Sequence, residues 1–207
     1  MKRKSLLLML VVITLGGCRL GMLLQPDPRP LVEAKYKIAK GKKLAVLIDD
    51  YMSPVNNPEL KSVLAKKIAD GLVEGGAVRA GSVVSIESVN QIPKDSPDGK
   101  KISIQHIGSQ VQADYVLYVN IIDFKIQGDP ENPLIQPTAR AYIKVIDVST
   151  GERLWPIDVT GEPVEAQGRM DTETLSDNPD TSKWTDTLTD LLSVEVVQLF
   201  FDHRSGK

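Results

Sequence analysis

One cysteine in 207 residues excludes an internal disulfide framework. With only two histidines, His106 and His203, and neither in metal-ligand spacing, a histidine-based metal centre has almost no material to build on. Basic charge is not in excess either: Lys and Arg number 25 against 27 Asp and Glu, a formal net charge of −2. A mildly acidic chain argues against a nucleic-acid partner, which requires clustered cations, and equally against a polybasic membrane patch. No apolar run reaches the roughly 20 residues of a membrane-spanning helix. P-loop, Gly-x-Ser-x-Gly, His-Glu-x-x-His and Gly-x-Gly-x-x-Gly patterns are all missing. Aromatic residues are few, at 5%, and Tyr115, Tyr118, Trp155 and Trp184 read as core or sheet-face residues rather than as a platform for sugars.

What is present begins at the start of the chain. Lys2, Arg3 and Lys4 precede the unbroken apolar run Leu6 to Ile13, and Leu15-Gly16-Gly17-Cys18 closes the segment. A positive start, a short apolar stretch and small residues before a cut site are the three parts of an export signal. The form ending in Leu15, Gly16, Gly17 and Cys18 resembles the lipobox of bacterial lipoproteins. That resemblance implies cleavage before Cys18, a diacylglycerol on its sulfur and an acyl chain on the new amino group. The expected divisions are a signal peptide over 1–17, a lipidated cysteine with a Pro-rich tether over 18–40, and one α/β domain over 41–207. Lys2, Arg3 and Lys4 each carry one positive charge, so losing them takes the net charge from −2 to −5.

Pro26, Pro28 and Pro30 alternate with Asp27 and Arg29, a pattern that fixes φ, removes donors and favours extended polyproline II. Residues 19–40 therefore read as a tether, with Leu23, Leu24 and Leu31 able to pack part of it on the body. Leu44 to Ile48 is an apolar run of strand length ending at Asp49-Asp50-Tyr51. Asn57-Pro58-Glu59 is a helix start: Asn caps, Pro suits the first helical position, and Glu favours the positive end of the dipole. Leu60, Val63, Leu64, Ile68 and Leu72 give that helix one apolar stripe, and Gly75-Gly76 stops it.

A second strand is expected over Val83–Val89, a short helix capped by Ser103, and a long central strand from Asp114 to about Ile126. Another strand runs from Thr138 to Val148, and the turn Ser149-Thr150-Gly151-Glu152 joins it to Arg153-Leu154-Trp155. The polar stretch from about Glu165 to Thr181 reads as loop, and a closing helix from about Ser182 to Phe201 carries Trp184, Leu188, Leu191, Leu192 and Leu199 on one side. The expected fold is α/β, or α+β. It has a mixed sheet of about five strands in the order β-α-β-α-β-β-β, with helices packed on it and a C-terminal helix.

Three features together resemble a group of bacterial envelope lipoproteins: the lipobox, the Pro-rich tether, and the strand-to-loop passage from Ala45 to Pro54. Ile107-Gly108 ahead of Ala113 to Leu117, and the hairpin from Val145 to Trp155, extend the likeness over roughly residues 42–160. The group includes the curli-secretion lipoprotein, activator lipoproteins of penicillin-binding proteins and, more loosely, the N-terminal domain of the Tol translocation protein. The chain lacks an evident long membrane-inserting hairpin, so the likeness does not extend to pore formation. The resemblance implies a non-catalytic domain that docks protein partners in the periplasm. In well-studied bacterial envelopes an Asp directly after the cysteine retains a lipoprotein at the inner membrane; Arg19 stands there instead, so the resemblance favours the outer membrane over the inner.

The functional expectation is a membrane-anchored, non-enzymatic interaction or assembly module of the cell envelope. Its partners are the membrane, through the lipid on Cys18, and an unidentified envelope protein; nucleic acid is excluded and the oligomeric state is left open. No cofactor beyond the covalent lipid, no metal and no catalytic residue is assigned. Asp49, Asp50, Tyr51, Pro54 and Asn56 form the candidate interaction loop. The alternatives are an accessory lipoprotein of a transport or secretion system, and an envelope hydrolase or glycan binder. The last would use the strand-end carboxylates Asp49, Asp50, Asp123 and Asp147, since such groups can gather into an acid–base site.

Overall fold

The computed structural model describes residues 28–50, 55, 57–95, 99, 101–126, 136–168 and 181–206. The signal and lipobox residues Leu15, Gly16, Gly17 and Cys18 lie outside them, as do Tyr51, Pro54 and Asn56 of the candidate interaction loop. The described residues fall into two compact units, 28–32 with 204–206, and 33–203. In the small unit the Ser205 amide donates to the Pro30 carbonyl at 3.0 Å, and the Arg204 guanidinium donates to the Arg29 carbonyl at 2.7 Å.

The larger unit is built on a five-stranded mixed sheet. Strand β1 (Leu44–Asp49) pairs in parallel with β2 (Tyr115–Lys125), which pairs antiparallel with β3 (Thr138–Asp147). Along its far side β3 carries two short partners, β4 (Arg153–Trp155) near one end and β5 (Glu162–Gln167) along the rest. Helix α1 (Pro58–Glu74) follows β1, short helices α2 (Ile86–Asn90) and α3 (Ile104–Gln110) precede β2, and α4 (Thr181–Gln198) follows β5. No helix among the described residues is long and apolar enough to cross a membrane.

Period-two alternation sorts the sheet into two faces. Leu44, Val46 and Ile48 of β1, Leu117, Val119 and Ile121 of β2, and Ala141 and Ile143 of β3 point to one face, where α1 and α4 cover them. Leu64, Ile68 and Leu72 of α1 and Leu188 and Leu192 of α4 are fully buried there, each contributing roughly 1.5–3 kcal/mol of apolar burial. On the other face Ala45, Leu47, Val116, Ile146 and Val148 receive Val89 of α2 and Ile107 of α3. The start of α1 follows the capping chemistry expected of it, with the Asn57 side chain accepting from the Leu60 amide at 3.0 Å. Val63, placed on the apolar stripe, is 38% exposed: it sits one position round from the line of Leu60, Leu64, Ile68 and Leu72.

The mixed sheet has five strands, but not the expected five. Val83–Val89 is not a strand: Val83 makes a single bridge to Leu44, and Ser85 then caps α2 by accepting from the Ser88 amide. Ile86 and Val89, three apart, are the buried pair, so helical spacing prevails over the run of β-formers. The missing strand is β5, which begins at Glu162 and runs into the stretch read as loop from Glu165 onwards. Val164 and Ala166 are buried while Pro163, Glu165 and Gln167 are exposed, and Pro163 is tolerated because β5 is an edge strand. Within the span read as tether, Ile38 is 6% exposed, and the Tyr36 ring lies 5.8 Å from Trp155 and 6.4 Å from Phe200. The prolines end at Pro30, and beyond them these apolar side chains have a core to join.

Candidate functional site

The chain leaves β1 at Asp49, and a cluster of hydrogen-bonded polar groups surrounds this point. Opposite Leu47 in the parallel register stands Tyr118 of β2, and its hydroxyl donates to Asp49 Oδ2 at 2.8 Å. Burial first, then the Asp49 carboxylate, pushes the Tyr118 phenol well above its ordinary range, so it stays a protonated donor. Asp49 Oδ1 accepts from the Asp50 amide at 2.9 Å.

Asp50 turns towards α1. Its Oδ1 accepts from Lys61 Nζ at 3.0 Å and its Oδ2 from the Val55 amide at 2.9 Å, with the two side chains of the ion pair only 14% and 22% exposed. Burial works to raise this carboxyl, but the Lys61 and Val55 hydrogen bonds and the Lys61 and Lys94 charges together hold it below the usual range. Lys94 reaches in from the loop after α2 and donates to the Ile48 carbonyl at 2.6 Å. Burial above all, then the Lys61 charge, lowers its ammonium, against the opposing pull of Asp49 and Asp50. Two carboxylates and two ammonium groups thus meet where β1 ends.

Beside them opens a cleft of about 330 Å³, floored by Leu47, Ile104 and Ile107, with Asp49, Lys94 and Tyr118 at its polar rim. Helix α3 forms one wall and can do so because Gly108 lets it lie close on the sheet. A Cβ built at Gly108 would come within 2.5 Å of Val148 Cγ2 and 2.7 Å of Val116 Cγ2. Asn120, opposite Asp49 in the register, holds its Oδ1 buried and without a hydrogen-bond partner among the described residues. An apolar floor under a hydrogen-bonded polar rim suits a partner that brings an apolar side chain and a few polar groups. A cation at Asp49 and Asp50 would have to displace Tyr118 and Lys61.

The four strand-end carboxylates do not gather. Asp123 binds the Arg140 guanidinium at 2.7 Å and Lys125 at 3.2 Å. Asp147 is opposite Tyr115, at the other end of the sheet, and its Oδ1 accepts from the Ser149 and Thr150 amides as a turn former. Among the described residues no three His, Cys, Asp or Glu side chains are grouped as a metal site. His106 is exposed on α3, and His203 Nδ1 lies 3.2 Å from the Phe201 carbonyl. Sequence reading located Asp49 and Asp50 but missed Lys61, Lys94 and Tyr118 as their partners. Lys61 lies off the apolar stripe of α1, and Lys94 sits in a loop without periodic signal.

No family model matches the chain, and no curated protein matches it in sequence. Among solved structures it is similar to the PelC dodecamer from Paraburkholderia phytofirmans, at 17% identity and a TM-score of 0.45, over 82% of this chain and 94% of that one. It is similar to the hypothetical protein CT253 from Chlamydia trachomatis, at 17% identity and a TM-score of 0.43, over 77% of this chain and 94% of that one. Lipoprotein GNA1162 from Neisseria meningitidis is similar at 16% identity and a TM-score of 0.40, over 70% of this chain and 91% of that one.

Proposed function

We propose that the chain is a lipid-anchored protein of the bacterial cell envelope whose folded body acts as a non-enzymatic interaction or assembly module. The observation that carries this reading is the run Leu15-Gly16-Gly17-Cys18 behind a basic, then apolar, leader. Acylation of Cys18 holds the body at one bilayer, facing the periplasm, with Arg19 favouring the outer membrane. The docking surface is the end of β1, where Asp49 lines the cleft and Asp50 follows it. Asp49 and Lys94 at its rim are hydrogen-bonded within the fold and its floor is apolar, which suits recognition of a protein side chain better than turnover of a substrate.

The test is in-cell crosslinking from a photoreactive residue at Lys101, on the cleft, with identification of the captured protein. A single envelope protein captured from Lys101 and lost when the probe is moved to Gln110 supports the reading. Reproducible turnover of a small molecule by the purified chain, abolished by Asp49→Asn, would falsify it. Anchoring is tested separately: Cys18→Ser should block lipid labelling and release the protein from membranes.

A further inference from the structure

The connection from β4 to β5 carries an apolar tip that the fold does not use. Pro156 and Gly161 are buried at its base, and the four residues between them, Ile157-Asp158-Val159-Thr160, are all exposed. Ile157 is 99% exposed and Val159 is 72% exposed, the two most exposed large apolar side chains among the described residues. Scattered surface Leu or Val residues need no explanation, but two β-branched residues raised together on one turn do.

The turn is held, not slack. Arg153 Nε donates to the Pro156 carbonyl at 2.8 Å and its Nη2 to the Ile157 carbonyl at 3.0 Å. The Asp158 carboxylate accepts from the Thr160 amide at 2.7 Å. Gly161, at φ +112°, returns the chain to β5, and a Cβ there would lie 3.0 Å from the Ile143 carbonyl oxygen. A rigid turn presents its apolar side chains without an ordering cost at the moment of contact.

Three observations say what covers this tip. It is convex and aliphatic, whereas protein-binding hot spots favour Trp, Tyr and Arg seated in pockets, with Val under-represented. Its immediate charges are Arg153 and Lys144 against Asp158, a local excess of one cation on a chain that is acidic overall. Finally, residues 19–27, ahead of the described unit, span up to about 30 Å when extended, so a body tethered at Cys18 stays within reach of a bilayer.

We propose that Ile157 and Val159 insert into the interfacial region of a phospholipid bilayer, with Arg153 and Lys144 against anionic headgroups, as a second membrane contact of the body. The acyl chains on Cys18 supply the hold on the membrane but leave the body free to turn, and a second, weaker contact adds to that hold and fixes the body's orientation. This contact rests on the lipid-anchored reading for its proximity, but its chemistry is separate from it.

The test uses the full chain purified from membranes and reconstituted in phosphatidylethanolamine–phosphatidylglycerol vesicles. With the thiol of Cys18 acylated, Ile157→Cys provides one labelling position for an environment-sensitive fluorophore, and Gln110→Cys on the exposed side of α3 is the control. Flotation with the vesicles reports the anchor; quenching by lipids brominated along their chains reports the tip. A blue-shifted, strongly quenched label at 157 beside an unquenched label at 110 is the expected result. Equal, weak quenching at both positions in floated protein overturns the proposal and leaves the anchor standing.

If the chain does not float, the anchored reading fails, and the Cys18→Ser chain at millimolar lipid decides the tip by itself. Its partition should then fall roughly tenfold on Ile157→Asp with Val159→Asp, and no measurable partition overturns the proposal. Concentration-dependent self-association without vesicles, abolished by the same pair, would assign the tip to a second copy of the chain and overturn it too.

Discussion

Gly108→Ala is the sharpest test of how the cleft is built, because two general rules give it opposite signs. In a helix interior, alanine is preferred over glycine by about 0.5–1 kcal/mol, so on propensity alone the change should stabilise α3. The packing argument opposes it. The new methyl would lie 2.5 Å from Val148 Cγ2 and 2.7 Å from Val116 Cγ2, and both are atoms of β-branched residues with little rotamer freedom. Val116 is fully buried in β2 and has nowhere to move, so α3 itself must rise from the sheet. Overpacking of this kind costs about 1–3 kcal/mol, which outweighs the propensity gain and leaves a net loss of about 1–2 kcal/mol. For a body of this size that lowers Tm by about 3–6 °C. Urea titration followed by circular dichroism measures it, with Gly81→Ala as the control, since a Cβ at Gly81 has no atom within 4 Å. Val148→Ala in the Gly108→Ala background should recover part of the loss and not all, because the Val116 contact persists. A Gly108→Ala protein as stable as the parent, or more so, would show that α3 does not rest on the sheet as described.

The remaining predictions concern the cluster at Asp49 and the core beneath it. Tyr118→Phe removes the hydroxyl that donates to Asp49 Oδ2 at 2.8 Å and should cost about 1 kcal/mol in thermal or urea unfolding. Lys61→Met keeps the aliphatic stem but unpairs Asp50, and should cost about 1 kcal/mol at pH 7. Because the folded Asp50 carboxyl is held below its ordinary value, the pair's contribution is fully present above the unfolded carboxylate pKa of about 3.9. It is lost as pH falls through the folded value. The gap between parent and Lys61→Met should therefore shrink below about pH 4, and a gap unchanged at pH 3 would refute the pairing. Leu188→Ala, at a fully buried position of α4, should cost about 2–5 kcal/mol, whereas Leu191→Ala, 37% exposed on the same helix, should cost well under half of that.

Leu188 and Leu191 also show where sequence patterning stops. Both fit an apolar stripe on the closing helix, yet only the structure separates the one against the sheet from the one at the rim. Patterning succeeds where local chemistry and packing agree: Asn57 and Pro58 start α1, Ser103 caps α3, and Tyr115 to Leu117 is buried on both faces of the sheet. It misreads Val83–Val89 because β-branched residues there favour a strand, while the Ser85 cap and a buried pair three apart favour a helical turn. It misses β5 because charged and proline residues occupy its exposed side, a feature of an edge strand that looks like loop when no neighbouring strand is in view. At the candidate site, the carboxylates were legible as strand-end residues. Their partners come from α1, β2 and the loop after α2, contacts that no spacing in the chain encodes.

The sheet order also constrains how the two proposed contacts work together. β1 forms one edge, and the cleft opens at its carboxyl end; β4 and β5 form the other edge, and the apolar tip connects them. In the shared register, Leu47 pairs with Tyr118 and Tyr118 with Lys144, so the cleft's floor and the cation beside the tip lie on one row of the sheet. Neighbouring strands are about 4.8 Å apart, so two strand spacings separate the backbones of that row. A body resting on Ile157 and Val159 would thus keep its β1 edge turned away from the bilayer, with the cleft open to the aqueous side. A single attachment at Cys18 would let the body rotate and present any face. Adding the tip removes that freedom, so Ile157→Asp with Val159→Asp should lower partner capture from Lys101 without touching a residue of the cleft. Capture unchanged by that pair, at equal protein in the membrane, would mean that orientation plays no part in docking.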